Sequence, residues 1–207
     1  MPYHKSPAVI IRSLDFAEWD KLITFFTRDY GKLKGVAKGA KRSRKRFGSA
    51  LEPLTHTTVS FFEKERAQLV RLDRCEIIES FPQIHDDVLR VGYASYLGEL
   101  INEMVAEREA NGELFNLFIT FRSLLNEKDF REEFIRIFEL RLLSLAGYQP
   151  EFGRCVMCRK EVNGTREHNF SQQRGGLICL ECFQGSHNSP RLSGGTIKML
   201  QRAQTIE

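Results

Sequence analysis

Lys21-Leu22-Ile23-Thr24-Phe25-Phe26-Thr27-Arg28-Asp29-Tyr30-Gly31-Lys32-Leu33-Lys34-Gly35-Val36-Ala37-Lys38 is the stretch from which the N-terminal fold can be read. Its two β-rich runs, 21–28 and 32–38, are separated by Asp29-Tyr30-Gly31, where glycine supplies a positive φ, and this predicts a hairpin. Runs of the same character lie at 8–14 before it and at 56–62 and 68–78 after it, with 63–66 turning the fourth into the fifth. Five strands in about 75 residues predict a small closed barrel, since closure removes exposed edges. The segment 41–51 then falls between strands three and four, where an OB-type barrel carries its helix.

From about residue 84 the apolar period lengthens. Leu89, Tyr93, Tyr96, Leu97, Leu100, Ile101, Met104 and Val105 recur at three- and four-residue steps up to the break Asn111-Gly112, as on an amphipathic helix. Leu114, Phe115, Phe118, Phe121, Leu124 and Leu125 make a second. Phe134, Ile137, Phe138, Leu142, Leu145 and Ala146 make a third, stopped by Gly147 and Pro150. Beyond Pro150 apolar density falls while Gly and Cys rise, so that stretch needs a staple. Residues 193–203 begin another helix. The expectation is a multidomain α+β chain: an OB-type barrel over 1–80, a helical bundle over 81–150 continuing at 190–207, and an inserted four-cysteine zinc module over 151–189.

The staple is Cys155-Val156-Met157-Cys158, twenty intervening residues, then Cys179-Leu180-Glu181-Cys182. Two C-x-x-C knuckles can turn four thiolates toward one Zn²⁺. A completed shell of four sulfurs leaves no position for water or substrate, so such a zinc is structural and contributes to folding of about 151–187. Redox dithiols and an iron–sulfur cluster share this ligand set. His168 and His187 are spare candidate ligands, and Cys75, in an apolar strand, reads as a buried small hydrophobe.

Charge distribution carries the functional signal. The net value is only +4 for 207 residues. Between Asp29 and Glu52, however, there is no acidic residue, against Lys32, Lys34, Lys38, Lys41, Arg42, Arg44, Lys45 and Arg46. On a strand over 32–38, Lys32, Lys34 and Lys38 share one face and Leu33, Gly35 and Ala37 the other. The continuation is a cluster whose self-repulsion a polyanion would relieve, and Gly35 and Gly39 would let a backbone approach closely. Phosphate contacts of this kind give affinity without sequence reading. Phe47, Tyr30 and Phe62 are candidates for base stacking that would favour single strands. The competing readings are a solvated basic loop and an import-type basic run.

Arg122, Arg131, Arg136 and Arg141 lie among apolar helical residues. Arg136 and Arg141 are candidates to flank a groove for an acidic peptide ending in an aromatic residue. The plainer alternative is a solvated face paired with Glu132, Glu133 and Glu139. No Walker A loop, G-x-G-x-x-G after a strand, H-E-x-x-H or H-x-E deaminase motif occurs, so an enzyme is not expected. No run nears the ~18–20 apolar residues of a membrane helix, and no signal-type apolar core follows the N-terminus. With four cysteines paired at C-x-x-C spacing, which read as metal ligands in a reducing compartment better than as a disulfide framework, this makes the cytoplasm the expected address.

Gly31-Lys32-Leu33, then Val36-Ala37-Lys38-Gly39-Ala40-Lys41-Arg42, Arg46 and Leu51-Glu52-Pro53-Leu54 resemble the bacterial RecO family. So do Phe138-Glu139-Leu140-Arg141-Leu142-Leu143 and Gly147-Tyr148-Gln149-Pro150 leading into the cysteines. The resemblance implies a nucleoid-associated repair and recombination mediator of the RecF pathway, not an enzyme. Such a protein binds single- and double-stranded DNA, anneals complementary strands and, with RecR, helps load RecA onto strands coated by single-stranded-DNA-binding protein. It also implies that Lys38, Lys41, Arg42 and Arg46 are DNA contacts and that the helical domain meets the acidic tail of the single-stranded-DNA-binding protein. The family usually continues past the zinc module, whereas this sequence stops at Glu207, which leaves a truncated chain or a short variant open. From the residues alone, an OB-containing zinc factor bound to RNA or the ribosome stands as the alternative.

Overall fold

A computed structural model describes residues 1–65, 67–79, 81, 84, 86–162, 166–185 and 189–205. His187 and the last residue of the predicted 63–66 turn lie outside the described residues. The chain is α+β and forms two compact units, Met1–Arg131 and Glu132–Glu207.

Unit 1 begins with a five-stranded mixed sheet: β1 (Tyr3–Asp15), β2 (Lys21–Thr27), β3 (Gly31–Ala37), β4 (His56–Phe62) and β5 (Val70–Glu79). The order β1-β2-β3-β5-β4 returns to β1, which pairs with both β2 and β4. Among these five strands the β3–β5 pairing is parallel and the others are antiparallel. The parallel pairing requires Gly35, because a Cβ there would sit 2.8 Å from the Val70 side chain. Alternation along the strands sends Ile10, Ile23, Phe25, Leu33, Val59, Phe61 and Leu72 into one core. Burying each such side chain contributes roughly 1.5–3 kcal/mol.

Residues 41–51 form consecutive turns and not the expected helix. Isolated bonds, Ser43 N–H to Gly39 O and Phe47 N–H to Ser43 O, start helical turns that do not propagate. Gly39 and Gly48 both take positive φ (+65° and +50°), which breaks the run at each end.

Two helices of this unit lie among the described residues. α1 (Val88–Met104) starts at Asp87, whose carboxylate accepts from the Leu89 and Arg90 N–H groups. α2 (Gly112–Asn126) starts at Asn111, which caps Leu114 N–H. Leu97, Ile101, Phe118 and Phe121 are buried.

Unit 2 contains α3 (Glu133–Leu145), a three-stranded sheet of β6 (His168–Ser171), β7 (Gly176–Ile178) and β8 (Arg191–Leu192), and α4 (Gly194–Thr205). α3 ends in a Schellman motif: Gly147 takes φ +84°, Tyr148 N–H reaches Leu143 O and Gly147 N–H reaches Ser144 O. Ser193 caps α4 through Thr196 N–H. Phe152, Val162, Leu177 and Ile197 form its core, with Leu140 and Leu200 against them. No described helix is long and apolar enough to cross a membrane.

Candidate nucleic-acid interface and metal centre

The basic residues divide by position. Lys32, on the outer side of β3, is only 7% exposed, and its ammonium donates to Asn102 O. Burial lowers its pKa, with Glu107 opposing the shift. The segment after α1 lies along β3 here: Arg108 N–H bonds Lys32 O, and the Glu107 backbone lies parallel to that of Lys32. Lys34 is ion-paired to Glu107 at 2.5 Å. Gly35 is met by β5, so its close approach is internal.

The loop after β3 differs. Lys38, Arg44 and Lys45 are exposed, and among the described residues they have no recorded ion pair or side-chain hydrogen bond. Arg46 donates to Ser43 Oγ and to Lys38 O (2.6 Å), bracing the loop without meeting a carboxylate. Arg42 lies over Trp19, 3.2 Å from the ring centroid. Of the loop's cations, Lys41 alone meets a carboxylate among the described residues, Asp15 at 2.9 Å. Thus Lys38, Arg42, Arg44, Lys45 and Arg46 share one loop with no carboxylate recorded against them among the described residues, whereas Lys32, Lys34 and Lys41 are already matched.

The stacking candidates move. Phe47 is buried in the sheet core and is unavailable to a base. Tyr30 packs edge-on against Phe61 and bonds His4 through its hydroxyl. Phe62 is half-buried against Tyr3. The exposed aromatics beside the basic loop are Phe16 and Trp19, in the β1–β2 connection. Asp20 accepts from Gly39 N–H and Trp19 O accepts from Lys41 N–H, which fixes this connection against the loop. The sequence signal was the chain's single Trp in a polar turn, masked by its acidic neighbours Glu18 and Asp20.

In unit 2 the four predicted sulfurs converge: those of Cys155, Cys158, Cys179 and Cys182 all lie within 4.8 Å of one another. The backbone makes this possible through a positive φ at Arg159, which returns the first knuckle so that Cys155 N–H bonds Lys160 O. Burial pushes the Cys155 thiol up, but backbone N–H groups of Cys158, Cys179 and Met157 outweigh it and bring the thiol down to about 6. Cys182 is pushed up to about 12 by its hydrogen bonds with the Cys179 and Cys158 sulfurs. Thiolates gathered this closely repel one another, and a cation held among the four sulfurs would offset that repulsion. His168 stands apart, its Nδ1 against Arg166 O.

Cys75 is buried, its thiol pushed up to about 12 by desolvation, as befits an inert core residue. Arg136 pairs with Glu139 at 2.6 Å, and Arg141 donates to Gln204 O of α4. Arg122 is buried over the Phe81 ring, and burial draws its pKa down to about 9.

Two family models match the chain: "Recombination protein O N terminal" over residues 1–81 and "Recombination protein O C terminal" over 85–207. The DNA repair protein RecO of Syntrophus aciditrophicus is 36% identical over 206 residues, covering 99% of this chain and 80% of that protein. The RecO of Symbiobacterium thermophilum is 33% identical over 98% of this chain and 80% of its own length. That of Caldanaerobacter subterraneus is 34% identical, with 97% and 79% covered.

Proposed function

The chain belongs to the RecO family and is a DNA repair and recombination mediator, and we propose that it works by neutralising DNA phosphates with the loop that follows β3. One observation carries this reading: Lys38, Arg42, Arg44, Lys45 and Arg46 lie on one loop, facing no carboxylate among the described residues. Each phosphate bound there releases condensed counterions, which gives affinity without base reading. A protein that holds two strands this way lowers their mutual repulsion and favours annealing. The work is association, not bond chemistry.

The closed sheet reads as an OB-type barrel, a fold well suited to oligonucleotides. The proposed ligands are single- and double-stranded DNA. The proposed protein partners, by family, are RecR and the acidic tail of single-stranded-DNA-binding protein, with RecA loaded as the outcome. A cytoplasmic, nucleoid-associated address fits this role.

The metal proposed at the cysteine cluster is one structural Zn²⁺. A tetrahedron of sulfurs about 2.3 Å from an ion has edges of about 3.8 Å, and the 3.7 Å between the Cys158 and Cys179 sulfurs supports this fit. Bound there, zinc would stabilise the four-cysteine module.

The test is annealing of complementary labelled strands. The protein should accelerate it, and Lys38→Ala/Arg44→Ala/Lys45→Ala should abolish most of the acceleration. Equal acceleration by that variant would contradict the proposed site.

A further inference from the structure

Beads of charge alone do not distinguish a single strand from a duplex; exposed aromatic surface does. The outer side of β2 and β3, which OB-type barrels commonly offer to oligonucleotides, is closed in this chain. Phe26 is fully buried with its ring 5.8 Å from Phe115 of α2, and Lys32 is sealed beneath the segment after α1. The opposite arc of the same sheet is open.

Cross-strand register defines what that arc presents. Tyr3 of β1 faces Phe62 of β4, which faces Arg71 of β5. One row on, Lys5 faces Ser60, which faces Arg74. Phe61, Leu72 and Cys75 point into the core, so Tyr3, Lys5, Phe62, Arg71 and Arg74 lie on the outer face, with Ser60 buried among them. Tyr3 is 54% exposed and lies 4.9 Å from the Phe62 ring, while the Lys5 side chain is 62% exposed. Arg71 is exposed and, among the described residues, has no recorded partner. Glu76 is shared weakly between Lys5 at 4.0 Å and Arg74 at 3.5 Å, both solvent-exposed pairs of little strength that a phosphate can replace.

This arc adjoins the basic loop, because Cys75 N–H bonds Arg46 O next to Arg74. We propose that the outer face of β1, β4 and β5 is a single-strand platform continuing from the loop: Tyr3 and Phe62 stack unpaired bases while Lys5, Arg71 and Arg74 hold the phosphates between them. The occupant is unpaired DNA. A duplex shields its base faces and cannot use the aromatic pair, and an acidic peptide would leave that pair unexplained. The inference rests on the proposed phosphate-binding loop and adds the source of strand preference.

Affinities of the full chain for a labelled oligo-dT of about 15 nucleotides and for a duplex of the same length test it. Tyr3→Ala should weaken single-strand binding by roughly 5- to 150-fold, the range of one lost base stack, and duplex binding by less than about twofold. Tyr3→Phe should retain wild-type affinity. Arg71→Ala should reduce the single-strand salt slope by about 0.7. Independently of any variant, a bromodeoxyuridine-substituted strand should photocross-link to Tyr3 or Phe62 of the wild-type protein. Equal single-strand affinity for Tyr3→Ala, an equal loss on duplex, or cross-links confined to other aromatics would overturn the platform. Those results would leave the loop intact as a site; only an unaltered loop variant removes that.

Discussion

Replacing Lys38, Arg44 and Lys45 together by Ala removes the three loop cations that have no recorded partner among the described residues, and the loss should scale with the phosphates they hold. Each phosphate contact on a single strand contributes about 0.7 to the slope of log affinity against log salt. If Lys38, Arg42, Arg44, Lys45 and Arg46 all engage, the loop contributes about −3.5 to the slope, and raising salt from about 50 to about 200 mM weakens its contribution to binding on the order of 100-fold. With the three replaced, the loop's share falls to about −1.4, so the measured slope drops by about 2.1, and the same change weakens the loop's contribution only about 7-fold. The control is Lys34→Ala: its ammonium is already paired with Glu107, so the slope should stay within about 0.3 of wild type. Anisotropy titrations of a labelled oligo-dT over a series of salt concentrations give both values. A triple variant with the wild-type slope, or a Lys34 variant that loses as much, would refute the assignment of phosphate contacts to the loop.

Other outcomes follow from the same structure. Elemental analysis should find about one zinc per chain, and chelation should expose residues 151–189 to protease while unit 1 stays folded. Phe47→Ala should destabilise unit 1 by about 3–5 kcal/mol, as loss of a core ring, whereas Phe47→Leu should keep DNA affinity within about twofold, since the ring faces the core. His56, desolvated and near Arg122, has its pKa lowered from 6.5 to about 4. The folded state therefore resists protonation that the unfolded chain accepts between these values, and stability is full above 6.5 and falls as pH drops toward 4. The loss should be on the order of 2 kcal/mol after allowing for solvent screening. Urea unfolding at pH of about 7.5 and about 5, followed by the chain's single Trp, should show it in wild type and not in His56→Leu.

The parts of this fold that were legible in the sequence are those fixed by local chemistry. The β2–β3 hairpin follows from two strand-period runs and Gly31, which takes φ +69° where a Cβ would collide with the Glu109 backbone. The cysteine cluster follows from spacing, because a C-x-x-C knuckle can close in few ways. Helical period likewise locates α1 to α4, but it does not reveal their partners: α1 and α2 fold with the sheet, α3 and α4 with the cysteine module. What sequence left obscure depends on contacts between distant residues. Alternation correctly set Lys32 opposite Leu33, yet could not tell that residues 102–108 would cover that outer face. Phe47 sits in the most polar stretch and still turns inward to fill the core. Trp19 reaches the basic loop only because Asp20 and the Trp19 carbonyl tie two turns together.

Lysine acetylation footprinting with and without oligo-dT reads the burial of individual ammonium groups by DNA, and so bears on the phosphate-binding loop itself. Lys38 and Lys45 should be protected on binding, while Lys34 and Lys160, each paired within its own unit, keep their unbound reactivity. Unchanged modification of Lys38 and Lys45 at saturating DNA would contradict a phosphate-binding role for the loop.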